Sequence, residues 1–217
     1  MKYKLVIFDL DGTVLYTLDD LRNALNHALS ENNFPERTLD EVRAFVGNGI
    51  KRLIERAVPN GTDETAANKV HTSFTEFYKL HCTDNTRPYE GIGDMLKSLK
   101  ANGFFTAVVS NKADYAVQAL CKDFFPGLFD KVAGEREGIR KKPAPDAVNA
   151  ILRTLNIPSK QAVYVGDSEV DVMTAVNANL DIIAVDWGFR DRQTLINAGA
   201  RIIASTPKEA LDIILRA

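Results

Sequence analysis

The chain has 217 residues, of which 45% are hydrophobic, so it can form one sizeable α/β core or a core with a smaller companion domain. Its formal net charge of −2 gives neither a basic field for nucleic acid nor a polybasic membrane patch, and we expect a small-molecule partner. Cys82 and Cys121 lie far apart, without a further Cys or His at metal-ligand spacing, which argues against a disulfide framework and a zinc site.

The first predicted element is a buried strand over the apolar run of residues 5–8, which ends at Asp9. This run is too short for a signal peptide or a membrane anchor, so we expect a cytoplasmic protein. From Leu18 to about Leu80 the apolar residues recur at helical spacing, and no convincing strand interrupts them. The sequence therefore predicts an all-helical insert after the first strand.

From residue 87 onwards, strand and helix patterns alternate along the chain. The predicted strands are 104–109, 131–133, 162–165, 182–185 and 202–204, and the predicted helices are 95–102, 113–122, 146–155, 168–178 and 207–215. Such alternation is typical of an α/β fold with a doubly wound, mainly parallel sheet covered on both faces. Ligands of these sheets bind beyond the carboxyl ends of the strands, so we expect the chemistry there.

Asp9 and Asp11 follow the first strand and are two residues apart. In an extended segment both side chains leave the same face, and Gly12 allows a tight turn after them. One carboxylate can then attack an electrophile while the other moves a proton. Asp-Gly is also ordinary turn chemistry, as in hairpins, but the next segment here is helical and offers no returning strand.

Asp167 and Asp171 follow a later predicted strand. Acidic residues in the first turn of a helix commonly cap N–H groups and suit the helix dipole, which is the ordinary explanation for both. Together with Asp9 and Asp11, however, they place several carboxylates at one rim, where mutual repulsion raises pKa values unless a cation neutralises the charge. Mg²⁺, a hard ion that prefers oxygen ligands, fits this demand.

Ser110, Asn111 and Lys142 are candidate phosphate ligands. The first two are predicted to follow a strand and precede a helix, where a hydroxyl and main-chain N–H groups can bind an anion or simply cap the helix. Lys142 lies on a loop stiffened by Pro143 and Pro145. A loop lysine is usually a solvated charge, but a fixed one that reaches the rim can pair with phosphate.

Four ordered motifs in this chain resemble those of the haloacid dehalogenase superfamily. They are Asp9-x-Asp11-Gly12-Thr13, Ser110-Asn111, Lys142-Pro143 and Gly166-Asp167-x-x-x-Asp171. The resemblance spans nearly the whole chain, and the insert is similar to the small helical cap of that family. It implies a core domain of residues 1–16 and 86–217 with a cap domain of residues 17–85, in a monomer or a homodimer.

The resemblance also implies a role for each motif residue. Asp9 would be the nucleophile and Asp11 the general acid and base, and Mg²⁺ would be held by Asp9, Asp167 and the main-chain carbonyl of Asp11. Ser110, Asn111 and Lys142 would bind the phosphoryl group of a small phosphorylated metabolite, and Asp171 would orient Lys142 or Asp167.

Within the superfamily, residues 45–57 resemble the cap of the phosphoglycolate phosphatase branch, as does the segment 187–190. Asn48, Gly49 and Arg52 are therefore predicted to contribute to substrate specificity, and 2-phosphoglycolate is the expected substrate. A sugar-phosphate mutase, a phosphatase for pyrophosphate, a nucleotide or a sugar phosphate, and a catalytically silent binding or regulatory module remain alternatives. A dehalogenase is disfavoured, because that chemistry has no use for a second acid at Asp11.

Overall fold

A computed structural model describes residues 2–217 of the chain. The chain forms two compact units: a sheet unit, made of the segment up to Leu15 together with Pro88–Ala217, and a helical unit, Tyr16–Arg87. No helix within the described range is both long enough and apolar enough to cross a bilayer.

The helical unit contains four helices, and the described part of the sheet unit contains six. In chain order they are α1 (Leu18–Glu31), α2 (Leu39–Phe45), α3 (Ile50–Ala57), α4 (Glu64–His81), α5 (Ile92–Ala101), α6 (Asp114–Phe124), α7 (Asp146–Leu155), α8 (Glu169–Asn177), α9 (Arg192–Asn197) and α10 (Pro207–Arg216). A 3₁₀ turn, Ser159–Gln161, precedes one of the strands. The absence of a long strand between α1 and α4 confirms the predicted helical insert.

Residues 2–217 form eight strands, two of which are only connectors. They are β1 (Leu5–Phe8), β2 (Leu15–Tyr16), β3 (Arg87–Pro88), β4 (Phe105–Ala113), β5 (Lys131–Glu135), β6 (Ala162–Gly166), β7 (Asp181–Val185) and β8 (Ile203–Ala204). The sheet has the order β5-β4-β1-β6-β7-β8, and every neighbouring pair is parallel. The predicted doubly wound parallel sheet is therefore confirmed. Strands β2 and β3 pair with each other where the chain leaves and re-enters the sheet unit.

The strand β1 lies in the middle of the sheet and packs on both faces. Val6 and Phe8 belong to one apolar cluster, and Leu5 and Ile7 belong to the cluster on the opposite face. All four side chains are fully buried. This explains why the strand is a continuous apolar run rather than an alternating one, since helices cover both faces of a parallel sheet.

A tight turn follows β1 and carries the first motif. The carbonyl oxygen of Leu10 accepts hydrogen bonds from the main-chain N–H groups of Thr13, Val14 and Leu15 at 3.0 to 3.3 Å. Gly12 adopts a φ of +89°, a conformation that side chains with a Cβ rarely take. A Cβ at this position would also lie 2.3 Å from a carboxylate oxygen of Asp167. The glycine is thus required both by the backbone and by the close approach of Asp167.

Two details of the sheet unit differ from the sequence prediction. Ser110 and Asn111 do not follow a strand, because β4 continues through them to Ala113, with an irregular register between Val109 and Ala113. Pairing with β5 resumes at Ala113, opposite Glu135, so the strand extends past these two polar residues. The helix α9 was not predicted, since its six residues bury only Leu195 and its start depends on the Asp191 side chain, which accepts the N–H of Thr194.

The helical unit is organised around the pair α1 and α4. Leu21, Leu25 and Leu29 lie on the buried face of α1, and Phe74 and Tyr78 lie on that of α4. Asp20, also buried, accepts N–H groups of Asn85 and Thr86 in four contacts of 2.8 to 3.0 Å. This carboxylate therefore fixes the segment that follows α4.

Candidate active site

The carboxyl ends of three adjacent strands bring the motif residues together. Asp9 follows β1, Ser110 and Asn111 lie near the end of β4, and Asp167 follows β6. The register places Phe8 of β1 beside Val108 on one side and Val165 on the other. Residues that come one or two positions later therefore meet at the same edge of the sheet, where ligands of such sheets bind.

Lys142 lies at the centre of this edge. Its Nζ is 2.8 Å from Oδ1 of Asp9, 2.8 Å from Oδ1 of Asp171 and 3.1 Å from the hydroxyl of Tyr164, and its side chain is only 3% exposed. Burial lowers the pKa of Lys142, but the carboxylates of Asp171 and Asp9 outweigh this effect and raise the pKa well above its ordinary value. The side chain is thus a fixed cation rather than a solvated loop lysine.

Asn111 holds the backbone on which Lys142 lies. Its side-chain amide donates to the carbonyl oxygen of Lys142 at 3.0 Å, and its side-chain oxygen accepts the main-chain N–H of Lys142 at 2.8 Å. These two bonds join β4 to the lysine loop, in which the Lys142–Pro143 peptide is cis. The Asn111 side chain therefore positions Lys142. The sequence predicts a role only for the main-chain N–H of Asn111.

Asp171 both caps the helix α8 and accepts a hydrogen bond from Lys142. Its Oδ2 accepts the hydroxyl of Ser168 at 2.5 Å and the Ser168 N–H at 3.1 Å, which closes a capping box at the start of α8. Its Oδ1 accepts from Lys142. Both oxygens of this fully buried carboxylate are therefore engaged by the protein.

Asp167 is held by two donors from different loops. Thr13 Oγ1 donates to its Oδ1 and the main-chain N–H of Phe189 donates to its Oδ2, both at 2.8 Å. Trp187 in turn donates its indole N–H to the carbonyl oxygen of Thr13 at 3.0 Å. The loop between β7 and α9 thus supports the loop after β1 as well as Asp167.

The carboxylates of this site carry more negative charge than Lys142 can balance. Burial raises the pKa of Asp9 well above its ordinary value, and the Asp171 carboxylate raises it further, while Lys142 opposes both. Burial and Asp171 likewise raise the pKa of Asp167 to about 7, despite the hydrogen bonds from Phe189 and Thr13. The site therefore favours a bound cation that would stabilise the ionised carboxylates.

The donor set fits a hard divalent cation. Asp9, Asp167 and Asp171 each offer a carboxylate oxygen, and these oxygens lie within 4.8 Å of one another. Asp171 accepts three hydrogen bonds from Lys142 and Ser168. In contrast, Asp167 accepts one on each oxygen, and Asp9 contacts Lys142 through Oδ1. Asp9 and Asp167 therefore keep more acceptor capacity for a metal ion. The Asp11 side chain does not belong to this group of three carboxylates.

Asp11 instead pairs with a lysine that the sequence did not single out as functional. Lys112 Nζ lies 2.7 Å from Oδ1 of Asp11, and the lysine side chain is 4% exposed while that of Asp11 is 20% exposed. Ser110 is also buried, and its hydroxyl accepts the main-chain N–H of Lys112 at 3.2 Å. The end of β4 therefore supplies a hydroxyl and a second cation to the site.

The predicted specificity residues Asn48, Gly49 and Arg52 belong to the helical unit. Gly49 precedes α3 with a φ of +83° and no side chain caps that helix. Asn48 is half-buried, and Arg52 is largely exposed and pairs with Glu55 at 2.6 Å. A specificity role for these three residues stays a prediction.

Comparison with known proteins decides the family. A family model for haloacid dehalogenase-like hydrolases matches residues 6–185. A phosphoglycolate phosphatase of Colwellia psychrerythraea is 30% identical to the chain, over 98% of this chain and 97% of its own length. The chain belongs to the haloacid dehalogenase-like hydrolase family. The predicted family is thereby confirmed.

Solved structures extend this result to the three-dimensional fold. A protein of Lactobacillus delbrueckii subsp. bulgaricus, provisionally assigned as a phosphoglycolate phosphatase, has a TM-score of 0.94 and 38% identity, with 99% of both chains covered. CbbY of Rhodobacter sphaeroides, solved in complex with phosphate, has a TM-score of 0.76 and 26% identity, with 96% of both chains covered. The haloacid dehalogenase-like fold therefore spans nearly all of this chain.

Proposed function

We propose that the protein is a Mg²⁺-dependent phosphatase that hydrolyses a small phosphomonoester through an aspartyl phosphate on Asp9. The observation that carries this proposal is the buried cluster in which Lys142 lies 2.8 Å from both Asp9 and Asp171 while Asp167 stands beside them. Phosphoryl transfer of this kind requires a nucleophile, a positive charge that meets the phosphoryl oxygens, and carboxylates that hold a metal ion. This cluster offers all three kinds of group.

The reaction is written in two steps. In the first, a carboxylate oxygen of Asp9 attacks phosphorus, the bond from phosphorus to the leaving oxygen breaks, and Asp11 gives its proton to that oxygen. In the second, Asp11 takes a proton from water, the water oxygen attacks phosphorus, and the bond between Asp9 and phosphorus breaks. Inorganic phosphate is released, Asp9 is again a carboxylate and Asp11 again carries its proton.

Lys142 and the end of β4 would stabilise the transferring phosphoryl group. Lys142 supplies a fixed positive charge, and Ser110 together with the N–H of Asn111 supplies hydrogen-bond donors for the phosphoryl oxygens. The metal would be held by Asp9, Asp167 and the main-chain carbonyl of Asp11. When bound, Mg²⁺ supplies charge that offsets both the carboxylates and the phosphoryl oxygens.

We further propose 2-phosphoglycolate as the substrate. Two observations support this: the Colwellia psychrerythraea relative is named a phosphoglycolate phosphatase, and residues 47–49 lead into α3 as Gly-Asn-Gly. N–H groups at the start of a helix favour an anion, so this turn and Arg52 could receive the carboxylate of a short substrate. In this proposal residues 17–85 form a cap domain, and residues 1–16 and 86–217 form the core domain.

The first experiment tests the nucleophile and the metal. Purified wild-type protein is assayed on phosphomonoesters in EDTA, Mg²⁺ or Ca²⁺, alongside Asp9→Asn and a control variant, Asp123→Asn, whose residue is exposed on α6. We expect activity with Mg²⁺ only, because Ca²⁺ prefers more ligands at longer distances. We also expect no turnover by Asp9→Asn and full turnover by the control. Full activity in EDTA, or in Asp9→Asn, contradicts the mechanism.

A second experiment ranks substrates by kcat/KM. The panel contains 2-phosphoglycolate, sugar phosphates, nucleotides and pyrophosphate, and products are separated so that an isomerised sugar phosphate is distinguished from released phosphate. We expect 2-phosphoglycolate to rank at or near the top. A preference for a neutral-ended sugar phosphate or a nucleotide would defeat the carboxylate proposal and leave the phosphatase proposal standing. An isomerised product would instead indicate a mutase.

A further inference from the structure

Tyr164 is a buried tyrosine in the middle of β6 that none of the four motifs contains. Its side chain is fully buried in the apolar cluster that also holds Ile7 of β1 and Val109 of β4. Its hydroxyl nevertheless makes two polar contacts, at 3.0 Å to the carbonyl oxygen of Val109 and at 3.1 Å to Nζ of Lys142. The side chain therefore reaches from β6 past the central strand to β4.

The direction of both hydrogen bonds is determined by their partners. A carbonyl oxygen can only accept, so the Tyr164 hydroxyl donates its proton to Val109. The ammonium of Lys142 can only donate, so the tyrosine oxygen accepts from it. The hydroxyl thus has one orientation, and it holds the strand end and the lysine at once.

Tyr164 joins two parts of the proposed phosphoryl-binding site. Val109 immediately precedes Ser110, and Lys142 carries the fixed positive charge of the site. The geometry points to Tyr164 as a positioning residue that sets the place of the Lys142 ammonium relative to the end of β4. This inference rests on the proposed phosphatase function, and it adds a residue that acts through Lys142 without touching substrate.

Without the hydroxyl, the lysine loses the one neutral partner among its three contacts. Its remaining partners are the carboxylates of Asp9 and Asp171, each at 2.8 Å, which attract the ammonium. Because the third N–H is then unsatisfied in a buried site, the ammonium should settle closer to the carboxylates. The Lys142 ammonium then stays in the site, but it no longer lies where it can contact the transferring phosphoryl group.

The decisive variant is Tyr164→Phe, which keeps the buried ring and removes only the hydroxyl. Its matched control is Tyr3→Phe, because Tyr3 is also a buried tyrosine of the sheet unit and its hydroxyl donates to Asp181 at 2.9 Å. We measure kcat, KM and the affinity for orthovanadate, which imitates the transferring phosphoryl group. Losing a hydrogen bond to a charged group predicts a fall of about tenfold in kcat and in vanadate affinity for Tyr164→Phe, and no change for Tyr3→Phe.

A double-variant cycle separates positioning from a general effect on packing. Vanadate binding is followed by the fluorescence of Trp187, the only tryptophan, whose indole N–H bonds to the carbonyl oxygen of Thr13. If Tyr164 acts through the lysine, adding Tyr164→Phe to Lys142→Met leaves vanadate affinity unchanged. Should Tyr164→Phe not fold, 3-fluorotyrosine at position 164 keeps the hydroxyl but weakens its oxygen as an acceptor, and we expect a smaller loss in the same direction.

Two results overturn the inference. One is a Tyr164→Phe enzyme whose kcat and vanadate affinity equal those of Tyr3→Phe. The other is an undiminished effect of Tyr164→Phe in the Lys142→Met background. If the wild-type protein has no phosphatase activity, the proposed function fails and takes this inference with it, whereas an active wild type with an unaffected Tyr164→Phe removes the inference alone.

Discussion

Gly188 lies where the loop after β7 touches the candidate metal ligand, and Gly188→Ala is the sharpest perturbation of that contact. A Cβ at this position would lie 2.4 Å from the Cβ of Asp167 and 2.4 Å from the carbonyl oxygen of Gly12. Carbon atoms in ordinary contact are about 3.5 to 4.0 Å apart. The obstacles are backbone and the first carbon of a side chain, so neither can rotate away. The loop itself must therefore move by roughly an ångström.

The size of the effect follows from what that movement breaks. The N–H of Phe189 donates to Asp167 at 2.8 Å, and a shift of this size lengthens the bond beyond useful range. Overpacking of a buried site costs about 1 to 3 kcal/mol, and loss of a hydrogen bond to a charged group costs about 1.5 to 3 kcal/mol. The two costs arise from one displacement and are not independent, so we expect less than their sum, a fall in the free energy of unfolding of roughly 2 to 4 kcal/mol.

The assay combines denaturant unfolding with a Mg²⁺ titration of activity. Gly188→Ala should lower the midpoint of unfolding and raise the Mg²⁺ concentration needed for half-maximal activity, because Asp167 loses a donor that orients it. The control is Gly93→Ala in α5, where an added Cβ meets nothing within 4 Å. That variant should be neutral or more stable by about 0.5 to 1 kcal/mol, since alanine favours a helix. A Gly188→Ala protein with wild-type stability and Mg²⁺ requirement would refute the reasoning.

Two further predictions concern ion pairs and buried carboxylates. Lys112→Met removes the partner of Asp11 and should slow hydrolysis of alkyl phosphates more than that of p-nitrophenyl phosphate, because a poor leaving group depends on the proton of Asp11. The control is Lys100→Met, which removes an ion pair with Asp130. Equal losses on both substrates, or a similar selectivity in the control, would contradict a link to proton transfer. Asp20→Asn should lower the free energy of unfolding by about 2 to 3 kcal/mol, since an amide group replaces one of two accepting oxygens, while Asp84→Asn at an exposed site should change it by less than about 0.5 kcal/mol.

The sheet and the carboxylates at its edge could be predicted because parallel strands obey simple rules. A continuous apolar run such as residues 5–8 indicates a strand buried on both faces, and helices between strands require parallel neighbours. The register that follows places Phe8 beside Val165, so Asp9 and Asp167 come out at one edge without any knowledge of side-chain contacts. The reasoning works here because it depends only on backbone geometry.

The lateral contacts of the site could not be predicted, because they join residues far apart in the chain. Tyr164 bonds to a carbonyl 55 positions away, and Lys112 pairs with a carboxylate 101 positions away. In the sequence, Tyr164 is one more aromatic residue of an apolar strand, and Lys112 is a lysine beside a helix. What distinguishes them is the strand order β4-β1-β6. It lets Tyr164 of β6 reach Val109 of β4, and it places Lys112 of β4 beside Asp11, which follows β1.

The distribution of charge explains why the phosphoryl group and the cation would have to bind together. Asp9 and Asp171 share the buried ammonium of Lys142, and Asp167 lies beside them. Burial and the Asp171 carboxylate raise the pKa values of Asp9 and Asp167. A phosphomonoester dianion that entered this site alone would meet net negative charge and repel Asp9, the group that must attack it. A divalent cation held by Asp9 and Asp167 would offset this charge. In the proposed mechanism, the buried carboxylates therefore serve to hold the cation, and the charge of that cation allows one anion to attack another.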